Sequence, residues 1–149
     1  MSIKFESRSV NEAFARQAVG AFASQLDPTM EELGDIKTVV SEAVTNAIVH
    51  GYAGRSGFIT VAVRLFEGRA LEIKIKDTGC GIPKASITKI WERFYKLDAS
   101  RGKDRKGTGL GLSIVKEIIT AHNQNINVIS TEGVGTEFIF TLAKGEAPK

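Results

Sequence analysis

Glu42 and Asn46 stand four residues apart in a stretch with a helical apolar period, so both side chains leave one face of that helix. A carboxylate and an amide oxygen side by side suit a magnesium nucleotide. Mg²⁺ is a hard ion that takes oxygen ligands and keeps waters and substrate phosphates, so one amide oxygen from Asn46 is a sufficient protein contribution. Glu42, one turn away, can accept a proton from an attacking hydroxyl or water. Alone, such a pair is most often a solvated helix face. Two glycine-rich stretches change that weighting. In Asp77-Thr78-Gly79-Cys80-Gly81 a carboxylate precedes positions without side chains, so a flat heterocycle can approach the backbone while Asp77 accepts from an exocyclic amino group. In Gly107-Thr108-Gly109-Leu110-Gly111-Leu112 the glycines expose backbone N–H groups just before a helix, where the dipole favours phosphate. Lys96, Arg101, Lys103, Arg105 and Lys106 can add positive charge over the γ-phosphate, while each taken singly reads equally as part of a solvated charge run.

The elements that must position these residues follow from periodicity and punctuation. Ile3 to Ser7 reads as a short first strand, and Ser9-Val10-Asn11-Glu12 has the form of a capping box opening a helix. Val10, Phe14, Ala18, Phe22 and Leu26 recur every four residues and predict its buried stripe, with Arg16 off the stripe and exposed. Asp27-Pro28 ends that helix, and Thr29-Met30-Glu31-Glu32 is a second capping box. The next helix turns Leu33, Ile36, Val40, Ala43 and Ala47 inward and runs to about His50-Gly51, leaving Glu42 and Asn46 at the margin of its stripe. Ile59, Val61, Val63 and Leu65 alternate as a strand, and Glu67-Gly68 turns into Leu71, Ile73 and Ile75, which deliver Asp77 at the end of a hairpin. Ile87, Ile90, Trp91 and Phe94 predict a short helix, and Asp98 to Lys106 carries no apolar period and reads as a mobile flap. Leu112, Val115, Ile118, Ile119 and His122 mark another helix. Ile126, Val128 and Ser130, a Glu132-Gly133 turn, and Thr136, Phe138, Phe140 and Leu142 give a closing hairpin, and the polar end, 146–149, is a frayed tail.

This order predicts a single α+β domain over 1–145, a two-layer sandwich with one mixed or antiparallel sheet covered by helices on one face. No Walker or dinucleotide loop is present, because Gly107 to Gly111 lacks the lysine and is spaced G-x-G-x-G. At 149 residues the chain can bury a sizeable core. Its single cysteine, Cys80, has no intrachain disulfide partner, which fits a reducing compartment and, with no long apolar run, a cytoplasmic protein. A net charge of +3 without a long basic face argues against direct nucleic-acid binding, and the lack of an apolar run long enough to span argues against a membrane. Of the two histidines, His50 caps or ends a helix and His122 continues an apolar stripe, both structural readings. Cys80 in the base pocket, and Trp91 with Phe94 beneath the lid, read as packing.

Taken together, Glu42, Asn46, the Asp77 stretch and the Gly107 loop make the chain resemble the GHKL (Bergerat) superfamily, the ATP-binding domains shared by gyrase, heat-shock protein ninety, histidine kinases and mismatch-repair ATPases. The resemblance covers nearly the whole chain. It implies that ATP is the nucleotide, that Asn46 binds Mg²⁺, that Asp77 reads the adenine amino group, and that Gly79 and Gly81 shape the base pocket. It also implies that Gly107, Thr108, Gly109, Leu110 and Gly111 wrap the phosphates, helped by Lys96, Arg105 and Lys106, and that Thr136 of Gly133-Val134-Gly135-Thr136 supports the adenine through water.

Two members of the superfamily are resembled by two halves of the chain. Residues 1–83, notably Asn11-Glu12-Ala13-Phe14-Ala15-Arg16, Gln25-Leu26-Asp27-Pro28-Thr29 and the run Ile36 to Tyr52, are similar to the sporulation anti-sigma F factors. That family's serine kinases use a glutamate at the place of Glu42 as base, dimerise through this half, and present an arginine at the place of Arg16 to a sigma factor and to an anti-anti-sigma substrate. From 84 onward, Trp91-Glu92-Arg93-Phe94-Tyr95-Lys96, Gly107 to Glu117 and Ser130 to Thr136 resemble the catalytic domain of sensor histidine kinases. The chain thus reads as a hybrid with its seam at 81–84. The expected function is a Mg·ATP-dependent serine kinase and anti-sigma factor. The alternatives are a nucleotide-binding hybrid without phosphotransfer, or a histidine kinase catalytic domain acting on a separate histidine-bearing partner.

Overall fold

A computed structural model describes residues 1–53, 55–66, 70–92 and 111–143. The predicted hairpin strands become β2 (Phe58–Phe66) and β3 (Ala70–Asp77), and the closing pair becomes β4 (Ile126–Thr131) and β5 (Gly135–Ala143). With β1 (Ser2–Glu6) they form a five-stranded sheet in the order β1-β2-β3-β5-β4. Every neighbouring pair is antiparallel.

The register stacks the alternating residues into rows across the sheet. Ile3, Val61, Ile75, Phe138 and Val128 are cross-strand neighbours, as are Val63, Ile73, Phe140 and Ile126. These rows face the core, and their central members are fully buried. The opposite face carries Lys4, Arg64, Glu72, Lys74, Lys76 and Glu137, polar as a one-sided antiparallel sheet requires. The core-facing row at the end of the sheet is different. There Phe5 and Ile59 are followed by Asp77, Thr136 and Ser130. Polar side chains stand where the period calls for apolar ones.

Helices α1 (Val10–Ala23), α2 (Met30–Asn46) and α3 (Gly111–Ala121) supply the other layer. Ile36, Val39, Val40, Ala43 and Val44 of α2 and Val115 and Ile119 of α3 share one core with the sheet. The Thr29 box forms as predicted: Glu32 N donates to Thr29 Oγ1 at 3.0 Å and Thr29 N donates to Glu32 Oε1 at 2.9 Å. After Asn46 the chain widens into a π-turn, Ala47–Gly51, and Tyr52 N donates to Ala47 O five residues back at 3.0 Å.

Three local expectations are corrected. Ser9 makes no side-chain cap, because its own backbone is already helical (φ −54°, ψ −34°), whereas a capping residue needs extended geometry to aim its oxygen back. Glu12 instead accepts from Arg16 Nε at 3.1 Å. The stripe of α1 is rotated: Val10 and Phe14 are 66% and 53% exposed, while Ala15, Val19, Gly20 and Ala23 are buried. The face that turns inward carries Ala15, Val19 and Ala23, all fully enclosed, and the Lys37 side chain of α2 lies over Gly20, its Cε 2.7 Å from where a Cβ would be. Finally, the predicted helix near Ile87–Trp91 is a 3-10 turn, Lys84–Ser86, followed by further turns. Trp91 still packs as expected, its ring edge-on to Phe138 at 5.9 Å. Phe94, the flap at 98–106 and the frayed tail lie outside the described residues.

Candidate nucleotide site

The polar end row is one wall of a site. Asp77, 4% exposed, ends β3, and its Oδ1 accepts from Gly79 N at 2.9 Å. Burial pushes its carboxyl above the ordinary aspartate value, while N–H groups of Gly79 and Thr136 pull it partly back. A carboxylate kept in a dry place with lone pairs to spare is an acceptor waiting for a donor.

Glycines make room around it. A Cβ on Gly51 would come within 3.1 Å of the Asp77 carboxyl, and one on Gly79 would meet Gly51 O at 2.0 Å. At Gly81 the positive φ of 72° would itself disfavour a side chain. The π-turn thus lays Gly51 directly against the Asp77 turn, and Cys80 N donates to Gly51 O at 2.8 Å. The Cys80 thiol donates to His50 O at 3.3 Å, in keeping with packing. Thr136 Oγ1 lies 2.8 Å from Ser130 Oγ, which also accepts from Ile82 N at 2.8 Å.

Glu42 and Asn46 are both half-buried on α2, and their shared face is the one predicted. The tertiary structure adds a neighbour. Glu42 Oε2 lies 2.6 Å from where a Cβ on Gly111, the first residue of α3, would be. The carboxylate of the candidate base therefore meets the start of the helix into which the Gly107 loop leads. Burial raises the Glu42 pKa, and the negative charge of Glu12 raises it further. Glu12 is itself the partner of Arg16, whose side chain is 36% exposed. Arg16 therefore belongs to a charge cluster that reaches Glu42.

Of the site residues expected from sequence, the structure groups Asp77, Gly79, Gly81 and Thr136 at the sheet end, and Glu42 with Gly111 at the start of α3. Asn46 precedes the π-turn that joins the two groups. Lys96, Arg105, Lys106, Gly107, Thr108, Gly109 and Leu110 lie outside the described residues, as do Arg101 and Lys103. Sequence reasoning missed Gly51, Tyr52, Ser130 and Gly135 as site-forming residues. Ser130 carried a signal, being polar at a core-facing position of an alternating strand. Gly135 did too, as a glycine of the Gly133–Thr136 motif, and its reason is structural: a Cβ there would meet Asp77 O at 2.2 Å. Gly51 and Tyr52 carried none, since only the π-turn brings them to Asp77. His122 supports the structural reading given to it, with Nε2 2.9 Å from Asp35 Oδ2.

Residues 32–146 match the model of the histidine kinase-, DNA gyrase B- and HSP90-like ATPases. An anti-sigma F factor of Clostridium acetobutylicum is 43% identical over 139 residues, 93% of this chain and 90% of that one. One from Bacillus cereus is 39% identical over 147 residues, covering 95% and 90%. The chain belongs to the anti-sigma F factor family of histidine kinase-like ATPases. These alignments run through residues 81–84 into the half whose motifs resemble histidine kinases. In fold, the mycobacterial sensor histidine kinase MprB is similar, with a TM-score of 0.65 at 20% identity over 95% of this chain and 98% of that one. A blue-light activated histidine kinase of Erythrobacter litoralis superposes with a TM-score of 0.57 at 25% identity over 78% of this chain and 31% of its own. The family binds ATP, and the site fits it: Asp77 is a buried acceptor whose carboxyl a Cβ on Gly51 would crowd at 3.1 Å. Among the described residues no helix is long and apolar enough to cross a membrane.

Proposed function

We propose that the chain is a cytoplasmic, Mg·ATP-dependent protein serine kinase that also acts as an anti-sigma factor. The observation that carries it is the carboxylate of Glu42 held against Gly111 at the start of α3, where a general base would stand beside the phosphate loop. Asp77 accepts from the adenine amino group. Gly79 and Gly81 leave space for the base, and Thr136 supports it through water. Gly107, Thr108, Gly109, Leu110 and Gly111 donate backbone N–H groups to phosphate, with Lys96, Arg105 and Lys106 adding positive charge. Among the described residues no three His, Cys, Asp or Glu cluster as a metal site, and Asn46 is the protein ligand for a Mg²⁺ carried by the phosphates. Bound Mg·ATP supplies the phosphoryl group and the metal's charge. Glu42 takes the proton of a substrate serine, and its raised pKa brings it nearer to working pH, which makes it a better base. The names of the similar proteins support a sigma factor as a partner; an anti-anti-sigma protein as the substrate, contact through Arg16 and a homodimer as the working unit complete the proposal.

The test is transfer of labelled γ-phosphate to an anti-anti-sigma protein. Acid-stable label in the parent, with transfer reduced about a hundredfold or more in Glu42→Gln at unchanged ATP affinity, is the expected result. An unchanged rate in Glu42→Gln removes the base from the mechanism. The likeness in fold to sensor histidine kinases favours a second reading, a catalytic domain that serves a separate histidine-bearing partner. That reading predicts acid-labile label on such a partner. ATP binding with no label on either substrate would leave a nucleotide-binding domain without transfer.

A further inference from the structure

The peptide between Asp77 and Thr78 is gripped from two directions. On one side its carbonyl lies 2.2 Å from where a Cβ on Gly135 would sit, so β5 backs directly onto it. On the other side its N–H, that of Thr78, donates to the phenolic oxygen of Tyr52 at 2.8 Å. Tyr52 is 4% exposed, and its hydroxyl donates its one proton to Phe58 O. Its two lone pairs are then filled by the Thr78 N–H and by Thr78 Oγ1, 3.1 Å away, which must be the donor. The ring is fixed as well, since a Cβ on Gly57 would fall 2.1 Å from it. A tyrosine used only as packing does not need its hydroxyl saturated by three partners from two separate strand ends.

We infer that Tyr52 is a positioning residue for recognition of the nucleobase: its hydroxyl sets the Asp77–Thr78 peptide and thereby aims the Asp77 carboxylate at an exocyclic amino group. This rests on Asp77 reading the base, as proposed above. The following contacts make the coupling tight. Thr78 N is held by Tyr52, Gly79 N by Asp77 Oδ1, and Cys80 N by Gly51 O. Three successive amides are thus committed, and the first of them depends on one phenol. Without that hydroxyl, Thr78 N and Phe58 O lose a buried partner, and the turn relaxes toward whatever else can satisfy them. The carboxylate then no longer points at a single donor position, so a base with a carbonyl in that place is rejected less strongly.

The experiment compares ATP, GTP and inorganic tripolyphosphate binding to the whole chain carrying Tyr52→Phe, Asp77→Asn, or both. Tyr52→Phe is expected to weaken ATP binding about tenfold, to narrow the ATP over GTP preference by a similar factor, and to leave tripolyphosphate within twofold. In the Asp77→Asn background the same change should add less than twofold, because the residue it positions is already altered. If Asp77→Asn weakens ATP and Tyr52→Phe leaves the ATP over GTP ratio unchanged, Tyr52 is packing and the inference is overturned. If Asp77→Asn changes nothing, the adenine reading itself fails and takes the inference with it. Should Tyr52→Phe not fold, Thr78→Val replaces it, removing one of the two donors to the phenol. About a threefold narrowing of the ratio is expected there, and an unchanged ratio overturns the inference.

Discussion

The two ends of the site are built in opposite ways. At the sheet end, Asp77 is tied to Thr136 and to Gly79 N, Thr78 to Tyr52, Cys80 to Gly51 and Ile82 to Ser130, each through a backbone or carboxyl group. At the start of α3, Glu42 meets Gly111 through the far end of a flexible side chain. Recognition of a flat base needs donors and acceptors fixed to a fraction of an ångström. A proton acceptor needs a suitable pKa and freedom to follow the hydroxyl it serves. In the proposed function the rigid end selects the base and the adjustable end takes the proton.

The largest expected effect comes from forcing the rigid end. A methyl group at Gly79 would fall 2.0 Å from the backbone oxygen of Gly51, which cannot swing aside. Gly79→Ala should cost about 3 kcal/mol and lower Tm by about 10 °C, with ATP binding lost, as read by calorimetry and a thermal melt. A full Tm with normal binding would show that the sheet end is not rigid. The same small change at the other end should behave differently. Among the described residues a methyl group in Gly111→Ala meets Glu42 alone, 2.6 Å from its Oε2, so stability should stay within about 0.5 kcal/mol while phosphate transfer falls about tenfold. A loss of stability as large as that of Gly79→Ala would erase the contrast.

Proton linkage sharpens it further. Asp77 has its carboxyl raised above 3.8 by burial, and it must be ionised to accept from a base amino group. ATP affinity should therefore fall as pH drops through a midpoint above that value, and Asp77→Asn should flatten the profile. In stability the sign is opposite. A raised folded pKa means that the protonated form favours folding, a contribution present below 3.8 and lost as pH rises through the raised value. Asp77→Asn should therefore gain on the parent in Tm across that window. Glu42, raised from 4.5, follows the same rule more weakly because it is half-buried. Glu42→Gln should leave Tm at neutral pH unchanged or about 1–2 °C higher even as it removes transfer. A Tm that falls by several degrees would mean that Glu42 holds the fold together.

Much of this was legible in the chain because it depends on near neighbours. The Thr29–Glu32 box, the alternation in β2, β3 and β5, and the arrival of Asp77 at a strand end are set within a few residues. The failures share a cause. Phe14 has the bulk that a buried stripe is expected to carry, yet α1 turns Ala15, Val19 and Ala23 inward, a rotation set by its packing on α2 rather than by its own period. Ser9 followed by Glu12 spells a cap, but Glu12 pairs with Arg16 and the helix begins without it. Nothing in Ala47 to Tyr52 announces a π-turn.

The sequence by itself determined the strands, the longer helices, a sheet covered on one face and the family, since period, turn residues and motif order are local properties of the chain, whereas the strand pairing made that sheet antiparallel throughout. Only the tertiary structure decided that Gly51 floors the Asp77 turn, that Tyr52 holds it, and that Glu42 meets Gly111. Those contacts join residues far apart in the chain, and the first requires a backbone approach that excludes a side chain at Gly79. Such an approach exists only once the layers have packed.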